Sequence, residues 1–156
     1  ALREGLSFGT TVETDSAPLH GMVASLLAAL GRDVHVLRDP TRGGVASVLN
    51  EIAKAAGTGV SITEAAFPIA EEVRGACEIL GLDPLYVANE GKLLAFVARE
   101  RADEALAVLR ADRFGGQAAI VGEVTDDHPG KVVLRSRIGG RRVVDLLTGD
   151  QLPRIC

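Results

Sequence analysis

The last residue of this 156-residue chain is a cysteine, and its position gives the clearest chemical signal in the sequence. Cys156 ends the segment Leu152-Pro153-Arg154-Ile155-Cys156, where the backbone places few restrictions on access to the thiol. Thiolate sulfur is a strong nucleophile and a terminal segment can move between sites, so this arrangement favours a carrier of a small acyl-type group. Two other interpretations stay open at this point: an intermolecular disulfide, and a terminus without a role.

A second group of polar side chains lies in the segment Asn89-Glu90-Gly91-Lys92, between two apolar runs. These runs are predicted strands of the core, so the turn between them would hold an amide, a carboxylate and an amine on a rigid support. Glu90 is the candidate general base for chemistry at a mobile thiol. The alternative is a turn of Asn-x-Gly type whose residues serve only the backbone conformation.

A third candidate is the segment Asp39-Pro40-Thr41-Arg42-Gly43-Gly44, in which a predicted strand passes into a predicted helix through two glycines. Such a layout lets backbone N–H groups approach an anion at a helix N-terminus, and Arg42 could add a forked contact to phosphate. The segment has neither the lysine of a Walker loop nor the third glycine of a dinucleotide fingerprint. An alternative therefore stays open, in which Asp39 caps the helix and the glycines only turn the chain.

The other residues that could do chemistry give weaker signals. Cys77 lies on the apolar face of a predicted helix and is expected to be a small core residue. The three histidines, His20, His35 and His128, share no spacing with each other or with the two cysteines. The sequence therefore predicts no metal site.

The composition limits the kind of protein that carries these residues. A chain of this length, with 47% hydrophobic residues and 24% charged ones, fits one soluble domain with a core of its own. The net charge of −4 argues against a nucleic acid as the main partner. The longest apolar run, 23–30, is far shorter than the ~18 residues that a membrane span needs. With two cysteines and no basic-then-apolar start, we expect a cytoplasmic protein.

The elements that must position the candidate residues follow from hydrophobic periodicity and from turn residues. We expect helices at 19–30, 45–56, 68–80 and 102–110, and strands at 10–14, 34–37, 60–63, 86–88, 93–98, 120–124, 132–137 and 142–146. Strands and helices alternate early, whereas turn-linked strands, one pair joined at Gly139-Gly140, dominate late. The predicted fold is α/β, with a mixed sheet covered by helices over residues 1–147 and a flexible tail over 148–156.

Taken together, the three segments and the order in which they occur resemble one family. Asp39 to Ala46, Val87 to Lys92 and the ending Pro153-Arg154-Ile155-Cys156 are similar to the HypE hydrogenase maturation factors, members of the PurM-like ATP-dependent superfamily. The resemblance covers the chain from end to end and implies the C-terminal domain of such a protein. It also implies that a preceding domain binds most of the ATP and Mg²⁺, that the full-length protein forms a homodimer, and that this fragment alone binds no cofactor and is inactive.

The resemblance further implies a reaction in which cyanide ligands are made for a nickel–iron hydrogenase. A carbamoyl transferase, HypF, would load Cys156, and an ATP-dependent step would dehydrate the carboxamide to a thiocyanate for the HypC–HypD complex. Glu90 becomes the base near the carbamoyl nitrogen. The other candidates would lie near the nucleotide or line the groove for the tail residues Pro153, Arg154 and Ile155; these candidates are Asp39, Thr41, Arg42, Gly43, Gly44, Asn89 and Lys92.

Two alternatives to that interpretation remain at the level of sequence. The domain could be a docking module that takes no part in catalysis and binds partner proteins through its tail. It could also belong to a PurM-like synthetase or kinase for another small molecule. The terminal thiol of Cys156 disfavours the second alternative, because such an enzyme has no need of it.

Overall fold

The computed structural model describes residues 16–146 of the chain. Within this part, the α-helices are His20–Leu30 (α1), Gly44–Ala56 (α2), Glu71–Leu80 (α3) and Ala102–Ala111 (α4). The strands are Val34–Arg38 (β1), Gly59–Thr63 (β2), Leu94–Val97 (β3), Gly122–Thr125 (β4), Val132–Arg135 (β5) and Arg141–Val144 (β6). Short 3₁₀ turns lie at Gly31–Asp33, Glu64–Ala66, Pro84–Tyr86 and Arg99–Arg101.

The strands of the described part form two sheets. In the four-stranded sheet the order is β4-β2-β5-β6, and β2 and β5 run parallel while the outer pairs are antiparallel. The register places Val60 opposite Val132, and Val132 opposite Val144. Strands β1 and β3 form a separate antiparallel pair. The mixed sheet and the α/β class predicted from the sequence are confirmed.

Helix α2 covers one face of the four-stranded sheet because its apolar stripe matches the alternation of the strands. Every second residue of β2 and β5 points into the same core, which leaves Val60, Ile62, Val132 and Leu134 at most 3% exposed. The helix contributes a stripe of small and aliphatic side chains, namely Ala46, Leu49 and Ala53. Burial of one large aliphatic side chain is worth about 1.5–3 kcal/mol, so this interface holds α2 against the sheet.

A second apolar cluster joins α1 and α4 to the β1–β3 pair. Leu26, Leu30 and Ala105 are buried there, and partly buried residues of both strands pack against them. The guanidinium of Arg101, four residues before Ala105, donates hydrogen bonds to the carboxylates of Asp33 and Glu104. This part of the molecule supports β1, from which the turn at Asp39 departs.

The structure corrects two details of the sequence prediction. Residues 86–88 do not form a strand, because Asp83 accepts a hydrogen bond of 3.0 Å from the Leu85 N–H and starts the 3₁₀ turn Pro84–Tyr86. Helix α3 begins at Glu71 rather than at Pro68. The predicted strand at 10–14 and the tail 148–156 lie outside the described residues. No helix within 16–146 is long and apolar enough to cross a membrane.

Candidate functional site

Two of the three segments singled out from the sequence meet in the fold. The backbone N–H of Asn89 donates a hydrogen bond to the carbonyl oxygen of Pro40, with an N–O distance of 3.0 Å. Pro40 is among the most completely buried residues of the described chain. The turn that follows β1 and the turn that precedes β3 are therefore one structural unit. Strands β1 and β3 pair antiparallel, with Arg38 opposite Leu94. This pairing brings the two turns to the same end of the two-stranded β1–β3 sheet.

The two glycines of the first turn have a packing role that the structure makes explicit. Gly44 has a φ of +64°, and a Cβ on it would lie 2.5 Å from the Leu85 carbonyl oxygen and 2.6 Å from that of Val87. Gly43 has a φ of +68°, and its Cβ would meet the Ser47 Oγ at 2.1 Å. Glycine at position 44 lets α2 begin directly against the Leu85–Val87 backbone, and glycine at position 43 leaves room for the Ser47 side chain.

The start of α2 has no side-chain cap. Gly43 occupies the N-cap position, and Asp39 is exposed and accepts no capping hydrogen bond from the helix. The alternative in which Asp39 caps this helix is therefore wrong. The first turn of α2 contains no acidic residue, and Arg42 lies exposed immediately before it. Helix-dipole charge and a guanidinium thus give this end of α2 a positive character.

The second turn presents Glu90 to solvent. The Asn89 Nδ2 donates to the Val87 carbonyl oxygen at 2.8 Å, so the Asn89 side chain fixes the turn rather than reaching outward. Gly91 follows with a φ of +63°. Glu90 is exposed and makes no hydrogen bond or ion pair with other residues of 16–146, and Lys92 is also exposed. The geometry leaves the Glu90 carboxylate available to a molecule that binds at this end of the sheet.

Two polar residues that the sequence analysis did not identify lie beside the end of β6. Asn50, only 3% exposed in the middle of α2, donates from Nδ2 to the carbonyl oxygens of Ala46 at 2.9 Å and Val144 at 2.8 Å. The hydroxyl of Tyr86 donates to the carbonyl oxygen of Asp145 at 2.8 Å. The sequence contained a signal for each of these residues. Asn50 is a polar residue on the apolar face of a predicted helix, and Tyr86 is the single tyrosine of the chain.

The remaining candidates divide into residues inside and outside the described part. Thr41 is half-buried in the first turn. The thiol Cys156 and the residues Pro153, Arg154 and Ile155 lie outside the described residues. Within 16–146, no group of three or more His, Cys, Asp or Glu side chains is arranged to hold a metal ion.

Cys77 is a core residue, as predicted, and is separate from the two turns. Its side chain is 6% exposed and borders a cavity of about 170 Å³ that Phe67, Arg74, Asp83 and Arg142 also line. Burial, and next the nearby Asp83 carboxylate, raise the pKa of the Cys77 thiol above its ordinary value. A protonated, buried thiol is a poor nucleophile at neutral pH.

Comparison with known proteins gives a consistent result. Residues 2–135 match the family model described as AIR synthase related protein, C-terminal domain. Over 156 residues, all of this chain and 46% of the relative, the chain is 52% identical to carbamoyl dehydratase HypE of Azotobacter vinelandii. It is 53% identical to the HypE of Cupriavidus necator over 154 residues, which are 99% of this chain and 44% of the relative.

Solved structures show the same similarity. A HypE crystal structure in complex with ATP matches with a TM-score of 0.92 and 47% identity, over 99% of this chain and 47% of that one. A HypE–HypF complex matches with a TM-score of 0.88 and 43% identity, over 94% of this chain and 47% of that one. The chain spans about half the length of the relatives it matches.

Proposed function

The chain belongs to the family of AIR synthase related proteins, whose C-terminal domain it forms, and on this premise we propose that it is the C-terminal half of a HypE-type carbamoyl dehydratase. The proposed enzyme converts a carboxamide on the sulfur of Cys156 to a thiocyanate at the expense of ATP. The observation that carries the proposal is the hydrogen bond from the Asn89 N–H to the Pro40 carbonyl oxygen, which joins the two candidate turns. The identity of about half of all residues to carbamoyl dehydratases supports it.

The proposed reaction has two chemical steps. The carboxamide oxygen attacks the γ-phosphorus of ATP, ADP leaves, and the nitrogen loses its first proton, which gives an O-phosphorylated imidate on sulfur. Loss of the second N–H proton then forms the C≡N bond while phosphate departs with the electrons of the C–O bond. Phosphorylation is necessary because a carboxamide oxygen is by itself a poor leaving group. Two protons must be accepted, so a base is required.

Glu90 is the base in this proposal. Its carboxylate is exposed on a turn that two hydrogen bonds fix, one from Asn89 N to Pro40 O and one from Asn89 Nδ2 to Val87 O. A base on a rigid turn keeps its position when the substrate arrives, which is how general-base groups contribute to rate. The segment that carries Cys156 would bring the carboxamide nitrogen to it.

In this proposal the first turn, residues 39–44, contacts a phosphate group of ATP. The uncapped start of α2, with Arg42 before it and no acid in the first helical turn, has donors and charge that suit a phosphate group. Thr41, Gly43 and Lys92 complete this surface in the proposal, and Asp39 borders it. Gly44 is buried behind it, against the Leu85 and Val87 carbonyls. When Mg²⁺ is bound in the full-length protein it would neutralise phosphate charge, and residues 16–146 offer no set of acidic ligands for it. In this proposal, Mg²⁺ is held mostly by residues of the half of the full-length protein that this chain does not include.

The tail is the carrier in this proposal. Residues 147–156 can span at most about 33–36 Å when extended, and in the proposal this reach lets Cys156 visit a loading site and a dehydration site. We assign loading to a HypF-type carbamoyl transferase, because a HypE–HypF complex is known for a relative. The HypC–HypD complex would accept the cyanide. We place the reaction in the cytoplasm, in a homodimer of the full-length protein.

Mass spectrometry of the full-length protein tests this function. After incubation with the carbamoyl transferase, carbamoyl phosphate and ATP, the C-terminal peptide is expected to carry a carboxamide that later becomes a thiocyanate. The Cys156→Ser variant should carry neither group, whereas the Cys77→Ser variant should behave as wild type because Cys77 is buried. Modification of any other residue, or a Cys156→Ser variant that still produces thiocyanate, would refute the proposal.

A further inference from the structure

We propose that Tyr86 is a positioning residue, whose hydrogen bond to Asp145 fixes the point from which the carrier segment leaves the fold. This inference rests on the proposed carrier function of Cys156. It starts from one contact, the 2.8 Å hydrogen bond from the Tyr86 hydroxyl to the Asp145 carbonyl oxygen. Asp145 directly follows β6, and residues 147–156 follow in turn.

The position of Tyr86 is itself well determined. It ends the 3₁₀ turn that Asp83 caps, and its N–H donates to the Asp83 carbonyl oxygen at 3.0 Å. The start of α2 packs against the same turn at Gly44. The ring of Tyr86 also packs against the main core cluster. A donor held by these three contacts can fix the position of the backbone that accepts its hydrogen bond.

Tyr86 belongs to the same loop as the proposed base. From Tyr86 the chain runs through Val87 and Asn89, both engaged in hydrogen bonds of the second turn, to Glu90. A single rigid loop therefore contacts the chain just before the tail at one end and presents the Glu90 carboxylate at the other. The origin of the tail and the base are placed relative to one another by this loop.

The charged groups around Tyr86 keep it a hydrogen-bond donor. Burial raises the pKa of the Tyr86 hydroxyl, the nearby Arg142 guanidinium opposes that rise, and the Asp83 and Asp145 carboxylates add to it. The net direction is upward, so the hydroxyl keeps its proton at neutral pH. Asn50 adds a second restraint one residue earlier, through its bond to the Val144 carbonyl oxygen.

The Tyr86–Asp145 hydrogen bond affects the effective concentration of the tethered Cys156 near Glu90. A tethered group reacts at an effective concentration that depends on how well the tether's length and origin match the distance to the site. If the origin moves freely, the tail samples a larger volume and meets the base less often. The hydrogen bond of Tyr86 thus speeds the reaction of the attached tail and has no role for a detached one.

The test compares the attached substrate in the full-length protein with a detached substrate supplied to the same protein lacking residues 147–156. Tyr86→Phe removes only the hydroxyl, and Thr125→Val is the matched control, because it removes an exposed hydroxyl that accepts from the Asp127 N–H at 2.7 Å in another turn. The first assay follows dehydration of a carboxamide on the enzyme's own Cys156. The second follows a synthetic peptide of residues 147–156 that carries the same carboxamide, with enzyme truncated after Leu146.

Tyr86→Phe should lower the rate of dehydration on the enzyme's own Cys156 roughly fivefold, the factor expected for one net hydrogen bond. The rate of dehydration of the synthetic peptide should not change. Thr125→Val should change neither rate. Amide exchange at Leu146 should become faster in Tyr86→Phe alone. Equal losses in both assays, or no loss in either, would overturn the inference. Failure of wild-type Cys156 to accept a carboxamide, by contrast, would overturn the proposed function itself.

Discussion

Gly44 and Val87 lie so close that a Cβ on the glycine would sit 2.6 Å from the carbonyl oxygen of Val87. This contact joins the first residue of α2 to the loop that leads to Glu90. The two sequence segments predicted to be functional are thus mutually dependent parts of one structure. Changes in either segment are expected to affect the other.

Gly44→Ala should destabilise the chain by about 2–4 kcal/mol, since the new methyl group meets two backbone carbonyls and a φ of +64° is strained for alanine. Urea denaturation measures the change. Gly57→Ala is the matched control, because Gly57 has a φ of +66° but nothing within 4 Å of its Cβ position. Its cost should be about 1 kcal/mol. Equal costs for the two variants would show that the contact with the Leu85–Val87 backbone is unimportant.

Asn50→Ala should lower the free energy of unfolding by about 2 kcal/mol, because it removes two buried hydrogen bonds and leaves the Val144 carbonyl without its amide donor. Glu51→Ala, at the next residue of the same helix, removes an exposed ion pair with Arg38 and should cost roughly 0.5 kcal/mol or less. Chemical denaturation of both variants checks the difference. A cost for Asn50→Ala no larger than for Glu51→Ala would contradict the assignment of Asn50 as an anchor of β6.

Cys77 should make the stability of the chain depend on alkaline pH. Because burial raises the pKa of the folded thiol, the unfolded thiol ionises first, and stability is lost as the pH rises from the unfolded pKa through the folded one. The slope attributable to Cys77 is at most about 1.4 kcal/mol per pH unit. Cys77→Ala should show a shallower loss above about pH 8.5 than wild type. Parallel curves for the two proteins would show that Cys77 does not titrate differently on folding.

Glu90→Gln should separate loading of Cys156 from dehydration. Loss of a general base lowers a rate by about 100-fold or more, whereas attachment of the carboxamide by the transferase does not use Glu90. The loaded form should therefore accumulate, as measured by mass spectrometry of the C-terminal peptide. Glu100→Gln, at another exposed carboxylate, serves as the control and should dehydrate at the wild-type rate. Normal dehydration in Glu90→Gln would remove Glu90 from the mechanism.

Much of the fold could be predicted because local signals agreed with the global structure. Helix α1 ends at Leu30 as its periodicity and Gly31 indicate, and the Gly139-Gly140 hairpin forms with Ser136 N bonded to Gly140 O. The segment 86–88 was predicted wrongly because its apolar residues, typical of a strand, follow an Asp-Pro pair that favours a 3₁₀ turn. The local capping signal of Asp83 and Pro84, rather than the apolar character of residues 86–88, decided the structure of that region.

The candidate site was predictable in its residues but not in its assembly. Asn89 and Pro40 each belong to a segment identified from the sequence. A single sequence does not reveal that the backbones of these two residues are joined by a hydrogen bond. Tyr86 and Asn50 were missed because each donates to a backbone carbonyl of the β6 region, and such acceptors leave no trace in residue identity. The separation of strands into two sheets was also not predictable, since strand order depends on long-range pairing.

A single-turnover experiment on the full-length protein addresses the carrier role of Cys156. The protein is first loaded with a carboxamide on Cys156, freed of the transferase, and then mixed with ATP, and both ADP and the C-terminal peptide are quantified over time. We expect one thiocyanate on Cys156 for each ATP consumed, with matching rates of formation. ATP consumption that leaves the carboxamide on Cys156 intact, or that releases it without forming thiocyanate, would contradict the carrier mechanism.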